Sequence, residues 1–412
     1  MLANVTVTPS RRSLEFGIYR DGDNNLDAIQ ESTLSQALRT SDRDSRIEFT
    51  VEDTTQLRDD GDAITSGTLH TEQYTIADGD IAHVQVSKAH DMSDEANLAR
   101  FVAHTLDDAQ ASGAKQTWID LVDHGGGDGG GLETGDGGVM AMPDIAKAIA
   151  DGVALHAKEH AEDAGRSVDG VVANQCLMDT MGFADALSHA GVRYLAASPE
   201  TMLAPGVPSD VAHAIAAHQN DPKAMAKAVV NDVMRTTYDA GDFGGFGPAA
   251  AFDVLDLGPA KIRAAEASIK HLNDDVAAEA GRPGVRAAVR DDARAIDGMV
   301  RFPEASKDMP WHADRPAITF YDRLAGDGRL DNRLQADAKA ASQAVRDLVI
   351  SHRESDNFQP FHSADYSDAV GPTVHLPTSR AQIDPWASDG VCETDNDFYK
   401  NTDEAAMTRV LA

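Results

Sequence analysis

Cys176 and His124 are the residues of this chain best suited to covalent chemistry. A thiol attacks as its thiolate, so it needs a base or a positive neighbour to lower its pKa. An imidazole titrates near neutral pH and can take and return a proton. Asp123-His124-Gly125 closes the apolar run Trp118-Ile119-Asp120-Leu121-Val122, and Asn174-Gln175-Cys176 closes the run 170–173. Each candidate therefore sits just past a strand. Gly125 leaves room for a carbonyl group to approach the backbone, and the N–H groups of Gly125 and Cys176 are the candidate oxyanion hole, worth about 3–4 kcal/mol per donor. Residues 176–190 read as a helix, whose positive end would favour a thiolate at Cys176. Taken singly, Cys176 reads as an inert buried thiol and His124 as a satisfied turn residue. Taken together, at the ends of neighbouring strands, the reactive reading is the stronger. A metal site built from Asp123, His124 and Cys176 has too few ligands to prefer.

The elements that must position this pair alternate between strand and helix. Residues 14–19 form an apolar run that stops at Asp21-Gly22-Asp23-Asn24-Asn25, types that favour turns. Helical spacing follows over 26–38, and 46–51 alternates as a second strand. Residues 94–111 read as a helix with Leu98, Phe101, Val102 and Leu106 on one face, and Gly113 is placed to end it. A strand at 116–122, a helix at 143–164, and strands at 170–173 and 193–197 follow, the last ending at Ser198-Pro199-Glu200. Residues 209–240 are helical with a break near Asn220-Asp221-Pro222. This pattern predicts an α/β fold, a mostly parallel sheet flanked by helices on both faces. Sites in such sheets form at the carboxyl ends of strands, where Asp23, His124, Cys176 and Ser198 all fall.

A composition shift at 241–248 reads as a hinge or loop. Beyond it, 259–280 and 330–351 read as long helices, 281–324 has no clear pattern, and 373–376 is a last strand-like run. The expected division is 14–245 for the unit carrying the reactive pair, 246–377 for a C-terminal α/β extension, and 378–412 for a polar, irregular tail.

The formal charge of −32 opposes phosphate backbones and excludes nucleic acid as the expected partner class. The same charge reads first as a solubility feature and second as an attraction for cationic substrates. Cys176 and Cys392 are the only cysteines, which excludes a disulfide scaffold and a four-cysteine zinc site but leaves one bridge open. Residues 1–12 lack a charged segment followed by an apolar one, so a cytoplasmic location is the default, with export by another route left open. No run of about 18 apolar residues predicts a membrane span. The glycine-rich loop 125–138 lacks the Gly-Lys-Ser/Thr ending that cradles phosphate, and its acids Asp128, Glu133 and Asp136 lack EF-hand spacing. It reads as a solvated loop.

Four ordered segments resemble the clostripain family of cysteine peptidases, in one clan with caspases, legumains and gingipains. Tyr19-Arg20-Asp21-Gly22-Asp23-Asn24-Asn25-Leu26 resembles its Y-x-x-x-D-N-N-L signature, and Leu121-Val122-Asp123-His124-Gly125-Gly126-Gly127 its W-D-H-G-x-G histidine motif. Asn174-Gln175-Cys176-Leu177-Met178 resembles D-A-C-L-M, which carries the nucleophile, and Ala197-Ser198-Pro199-Glu200 the A-S-E-E segment that lines the pocket. Gly371-Pro372-Thr373-Val374-His375-Leu376-Pro377 is more weakly similar to a G-L-S-I-Y-F-P strand. The resemblance implies a caspase-like α/β fold with an α-rich C-terminal extension. It implies hydrolysis of a peptide or protein substrate through a Cys176 thioester with His124 as acid–base, and Asp23, Asn174, Ser198 and Glu200 as substrate-binding residues. Many members cleave after Arg or Lys, and some need calcium or cut themselves between the histidine and the cysteine. Lys147, Lys158 and Arg166 lie in that stretch, where they read more readily as surface charges. One departure stands out: the acid two residues before the nucleophile is Asn174 here. A basic P1 residue wants a carboxylate partner, so a neutral P1 competes with Arg or Lys, and a catalytically inactive peptide-binding protein is the alternative reading. No cofactor is assigned beyond an open calcium question, and the oligomeric state is left open.

Overall fold

The computed structural model describes residues 12–59, 64–203, 206–235, 248–301, 313–355, 364–379, 382 and 396–411. In chain order the first half runs β1 (Leu14–Asp21), α1 (Asp27–Arg43), β2 (Ile47–Asp59), β3 (Ile64–Ala77), β4 (Asp80–Lys88), α2 (Glu95–Ser112), β5 (Gln116–Val122), α3 (Met142–Glu159), β6 (Gly170–Asn174), α4 (Met181–His189) and β7 (Tyr194–Ala197). The second half runs α5 (Val211–Ala217), α6 (Pro222–Arg235), β8 (Ala251–Asp256), α7 (Pro259–Glu279), α8 (Pro283–Arg294), β9 (Asp314–Pro316), α9 (Ala317–Gly326), α10 (Asn332–Arg346), β10 (Val349–Glu354), β11 (Thr373–His375), α11 (Asp397–Thr402) and α12 (Glu404–Leu411).

The main sheet has the order β10-β8-β7-β6-β5-β1-β2-β3-β4. Its centre, β2-β1-β5-β6-β7, is parallel, and antiparallel pairs extend both edges. Alternate residues of the central strands face opposite layers, as the pleat requires. Ile119, Leu121, Val171 and Ala173 join a core with α2, α3, α4 and α7. Trp118, Val122 and Val172 join the opposite core, where α1, α5 and α6 contribute Leu34, Val211, Ile215 and Val229. The expected α/β sheet with helices on both faces is therefore present. Helix α2 matches its expected span, with Asp94 accepting from Ala96 N–H as N-cap and Gly113 closing it at φ 75°.

Four elements depart from the sequence reading. The hairpin β3–β4 was not foreseen. Its turn signal is Asp78-Gly79, both at positive φ, but β4 is exposed along its length and carries no core pattern. Residues 176–180 are loop, and helix begins only at Met181, so no helix terminus sits at Cys176. The expected helix over 330–351 stops at Arg346, and β10 begins at Val349. The hinge expected at 241–248 lies almost wholly outside the described residues. Beyond it, β8 pairs with β7 and β10 with β8, so the segment placed in a separate extension adds strands to the same sheet.

The tail is the largest correction. Residues 397–411 form α11 and α12 rather than irregular chain, and Phe398, Tyr399, Met407 and Val410 enter the main core. Tyr399 O–H donates to Asp128 in the glycine-rich loop, and Thr180 O–H donates to the same carboxylate. The tail thus braces the loop that follows His124. Phe398→Ala is expected to cost about 3–5 kcal/mol, read by denaturant unfolding. A loss below about 0.5 kcal/mol would mean that the tail does not belong to the core.

Candidate active site

The register of β5 against β6 sets His124 and Cys176 side by side. Val122 pairs with Asn174, and each candidate lies two residues past that pair. The two loops then touch: Gln175 Nε2 donates to the His124 carbonyl at 2.8 Å. A Cβ on Gly125 would stand 2.3 Å from the Cys176 carbonyl oxygen and 3.1 Å from its nitrogen, so only glycine permits this approach. Among the described residues, the N–H groups of Gly125 and Cys176 donate to no other acceptor. Leu177, immediately after the thiol, holds φ 68°, a costly conformation for a non-glycine residue and typical of functional turns.

His124 is oriented by the turn after β1. Its Nε2 lies 3.0 Å from Asn25 Oδ1. Asn24 Nδ2 donates to Asp123 at 2.6 Å and to the Glu133 carbonyl at 2.7 Å, tying that turn to both sides of the histidine. The turn is itself anchored by buried Arg20, which pairs with Asp27 and Glu31 of α1 at 3.0 Å each and with Asp53 of β2 at 2.9 Å. The sequence reading singled out Asp23 here. Asp23 lies against Gly135 of the glycine-rich loop, while Asn25 reaches the imidazole. The turn signature was visible; which of its residues touches the histidine was not.

The thiol lies in an apolar corner formed with Leu177, Met299 and Val300. Met202 N–H donates to Cys176 Sγ at 3.3 Å. Burial pushes the thiol up to about 11, the Met202 N–H opposes this, and the Glu200 and Asp123 carboxyls add to the rise. Burial also lowers the His124 imidazole, against a smaller opposite pull from Glu133. Both shifts favour the neutral forms of thiol and imidazole.

The expected pocket residues are engaged within the protein. Asn174 is buried, accepts from Val207 N–H at 2.7 Å and donates to the Val207 carbonyl at 3.2 Å. A carboxylate at 174 would face that carbonyl without a proton, which accounts for asparagine there. Ser198 is fully buried with Oγ 2.8 Å from the Glu200 and Ala251 carbonyls, so it shapes the bend after β7 rather than lining a pocket. Glu200, also buried, accepts from Val300 N–H at 2.6 Å and Thr201 N–H at 2.9 Å, and Arg301 lies 3.7 Å away. Arg301, a residue the motifs do not mark, also reaches the Asp365 carbonyl and Asp368.

Of the loop acids, Asp128 accepts from Thr180 and Tyr399, and Asp136 accepts from Thr134 and Gly138. Cys176 carries a free thiol, and Cys392 lies outside the described residues.

No family model matches the chain, and no curated protein matches it. Solved structures do. A secreted C11 cysteine protease from Bacteroides thetaiotaomicron, bound to an irreversible peptide inhibitor, superposes with a TM-score of 0.63 at 14% identity, over 96% of this chain and 99% of that one. An inactive zymogen C11 protease from Parabacteroides distasonis gives 0.60 at 16% identity, over 96% and 99%. The fold is that of the C11 cysteine proteases. Here C11 denotes the clostripain-like group, so the α/β architecture expected from the resemblance is present across nearly the whole chain. None of the described helices is long and apolar enough to cross a membrane.

The neutral pair has a measurable consequence. At pH 7 a thiol near 11 is ionised to about one part in 10⁴, against about 3% for a free cysteine near 8.5. Iodoacetamide is therefore expected to alkylate Cys176 roughly 300-fold more slowly than a free cysteine at pH 7, with the rate rising about tenfold per pH unit up to about pH 10. A rate plateau at or below pH 7 would mean an ionised resting thiol.

Proposed function

We propose that this protein is a cysteine peptidase in which Cys176 is the nucleophile and His124 the acid–base. The observation that carries this reading is the placement of thiol and imidazole at matching points past two registered strands, closed by Gly125 against the Cys176 backbone. The fold shared with the C11 proteases supports it. With Asn25 Oδ1 accepting from His124 Nε2, the imidazole keeps Nδ1 as its free base. Nδ1 takes the thiol proton as Sγ bonds to the scissile carbonyl carbon. The Gly125 and Cys176 N–H groups stabilise the oxyanion, His124 returns the proton to the leaving amine, and water then hydrolyses the thioester. A neutral resting pair suits this route, because the base must be unprotonated before attack. Cys176→Ala is expected to abolish peptide cleavage, and His124→Ala to lower kcat by about 10³-fold or more, with circular dichroism unchanged. Full turnover in either folded variant would remove the assignment.

The same reading favours a neutral P1 side chain over Arg or Lys. Asn174 carries no charge, and Glu200 is already paired with Arg301 within the protein. A second cation would have to displace a buried ion pair. Fluorogenic peptides varied only at P1 are expected to show higher kcat/KM for neutral residues, and Arg301→Gln to raise the relative rate on Arg and Lys about tenfold or more. Native preference for Arg or Lys would contradict this assignment while leaving the nucleophile assignment intact.

A further inference from the structure

Away from the thiol, Asp107 on α2 meets His156 and His160 at the end of α3. The two histidines are four residues apart, so they project from one helix face. Asp107, His156 and His160 offer ligand atoms that all lie within 4.8 Å of one another. Asp107 Oδ1 is 2.6 Å from His156 Nδ1 and 3.2 Å from His160 Nε2, and the rings stack at 4.9 Å. The far nitrogens face carboxylates as well: His156 Nε2 has Asp163 at 3.6 Å, and His160 Nδ1 has Glu162 at 3.7 Å.

That arrangement has the form of a metal site with its outer shell. Ligating histidines present one nitrogen to the ion and donate the other N–H to a carboxylate. Here one nitrogen of each ring converges on a single Asp107 oxygen, and the opposite nitrogen of each ring meets its own acid. His156 is 1% exposed, with Nδ1 turned to Asp107 and Nε2 to Asp163. Tetrahedral zinc, with ligands about 2.0–2.2 Å away, holds its ligand atoms roughly 3.3 Å apart. His160 and Asp107 already stand at that spacing, and Asp107, partly exposed, needs to withdraw only slightly from His156. Two imidazoles and one carboxylate suit an ion of the zinc class rather than calcium, which takes six to eight oxygens.

We propose that Asp107, His156 and His160 bind one zinc-class divalent ion, with Asp163 and Glu162 as outer-shell acceptors and water completing the coordination. The ion would clamp α2 to α3 and to residues 160–166, the connection that leads into β6 and Cys176. Lys158 lies on the clamped helix, and Arg166 bonds both Asp163 at 2.5 Å and the Ala114 carbonyl at 3.0 Å. The clamp therefore shields these two basic positions from proteolysis.

The test uses the full chain as Cys176→Ala, which removes the buried thiol as a competing zinc ligand and prevents self-cleavage, with Cys392 common to every variant compared. Titration with zinc chloride is expected to give one equivalent bound at micromolar affinity or tighter, unchanged by millimolar calcium. His160→Ala and Asp107→Asn should each weaken binding about 100-fold, and Glu162→Gln about tenfold. His271→Ala, in a second and more exposed His/Asp group, should not alter it. Zinc should also slow tryptic cleavage after Lys158 and Arg166 in the Cys176→Ala chain but not in its His160→Ala derivative. Melting temperatures without metal separate lost binding from lost folding, and Glu162→Gln, on the surface, remains informative if another variant unfolds. Absence of binding at 100 µM zinc (about fifty times a 2 µM dissociation constant), equal binding by Asp107→Asn and His160→Ala, loss only in His271→Ala, or displacement by calcium would each overturn the proposal.

Discussion

A Cβ on Gly125 would stand 2.3 Å from the Cys176 carbonyl oxygen, and this forced closeness of two loops organises everything around the thiol. The loops meet because β5 and β6 are parallel neighbours in fixed register, so both chains leave the sheet at the same height. A one-residue slip would turn every side chain of one strand to the other face and carry its loop out of step. Gln175 closes the gap by donating to the His124 carbonyl. The geometry around the thiol is thus set mainly by backbone, and the side chains inherit it.

Holding that geometry costs local strain and buried charge. Leu177 and Val300 both sit at positive φ, at 68° and 63°, on either side of the thiol corner. Such residues persist only where their surroundings over-determine them. Around Val300 the restraint is explicit: its N–H is held by Glu200, and Glu200 is matched by Arg301. Breaking that buried pair from one side would leave an uncompensated charge, so its partners stabilise one another strongly even if the pair adds little net stability.

Burial has opposite effects on thiol and imidazole, and together they keep the resting pair neutral. Arg301 supplies a cation from within the chain to the buried Glu200 carboxylate.

The sequence by itself determined the architecture and which residues are candidates. His124, Cys176 and Gly125 stood out as candidates because strand–helix alternation locates strand ends, where α/β sheets form their sites. The two-layer core was legible from period-2 runs such as 118–122. Tertiary structure alone decided what lies across from these residues. Asn25 meets the histidine, Ser198 shapes a bend, and Glu200 is matched by Arg301 from a segment about 100 residues later. The hairpin β3–β4 escaped because β4 is solvent-exposed and buries no apolar face. The helices of the tail escaped because Phe398 and Tyr399 are two apolar side chains in a polar stretch, and their burial against α4 and α7 depends on the whole core being assembled. Pairing between distant segments leaves no local pattern, since composition and periodicity record only the face a residue shows and not the partner it finds.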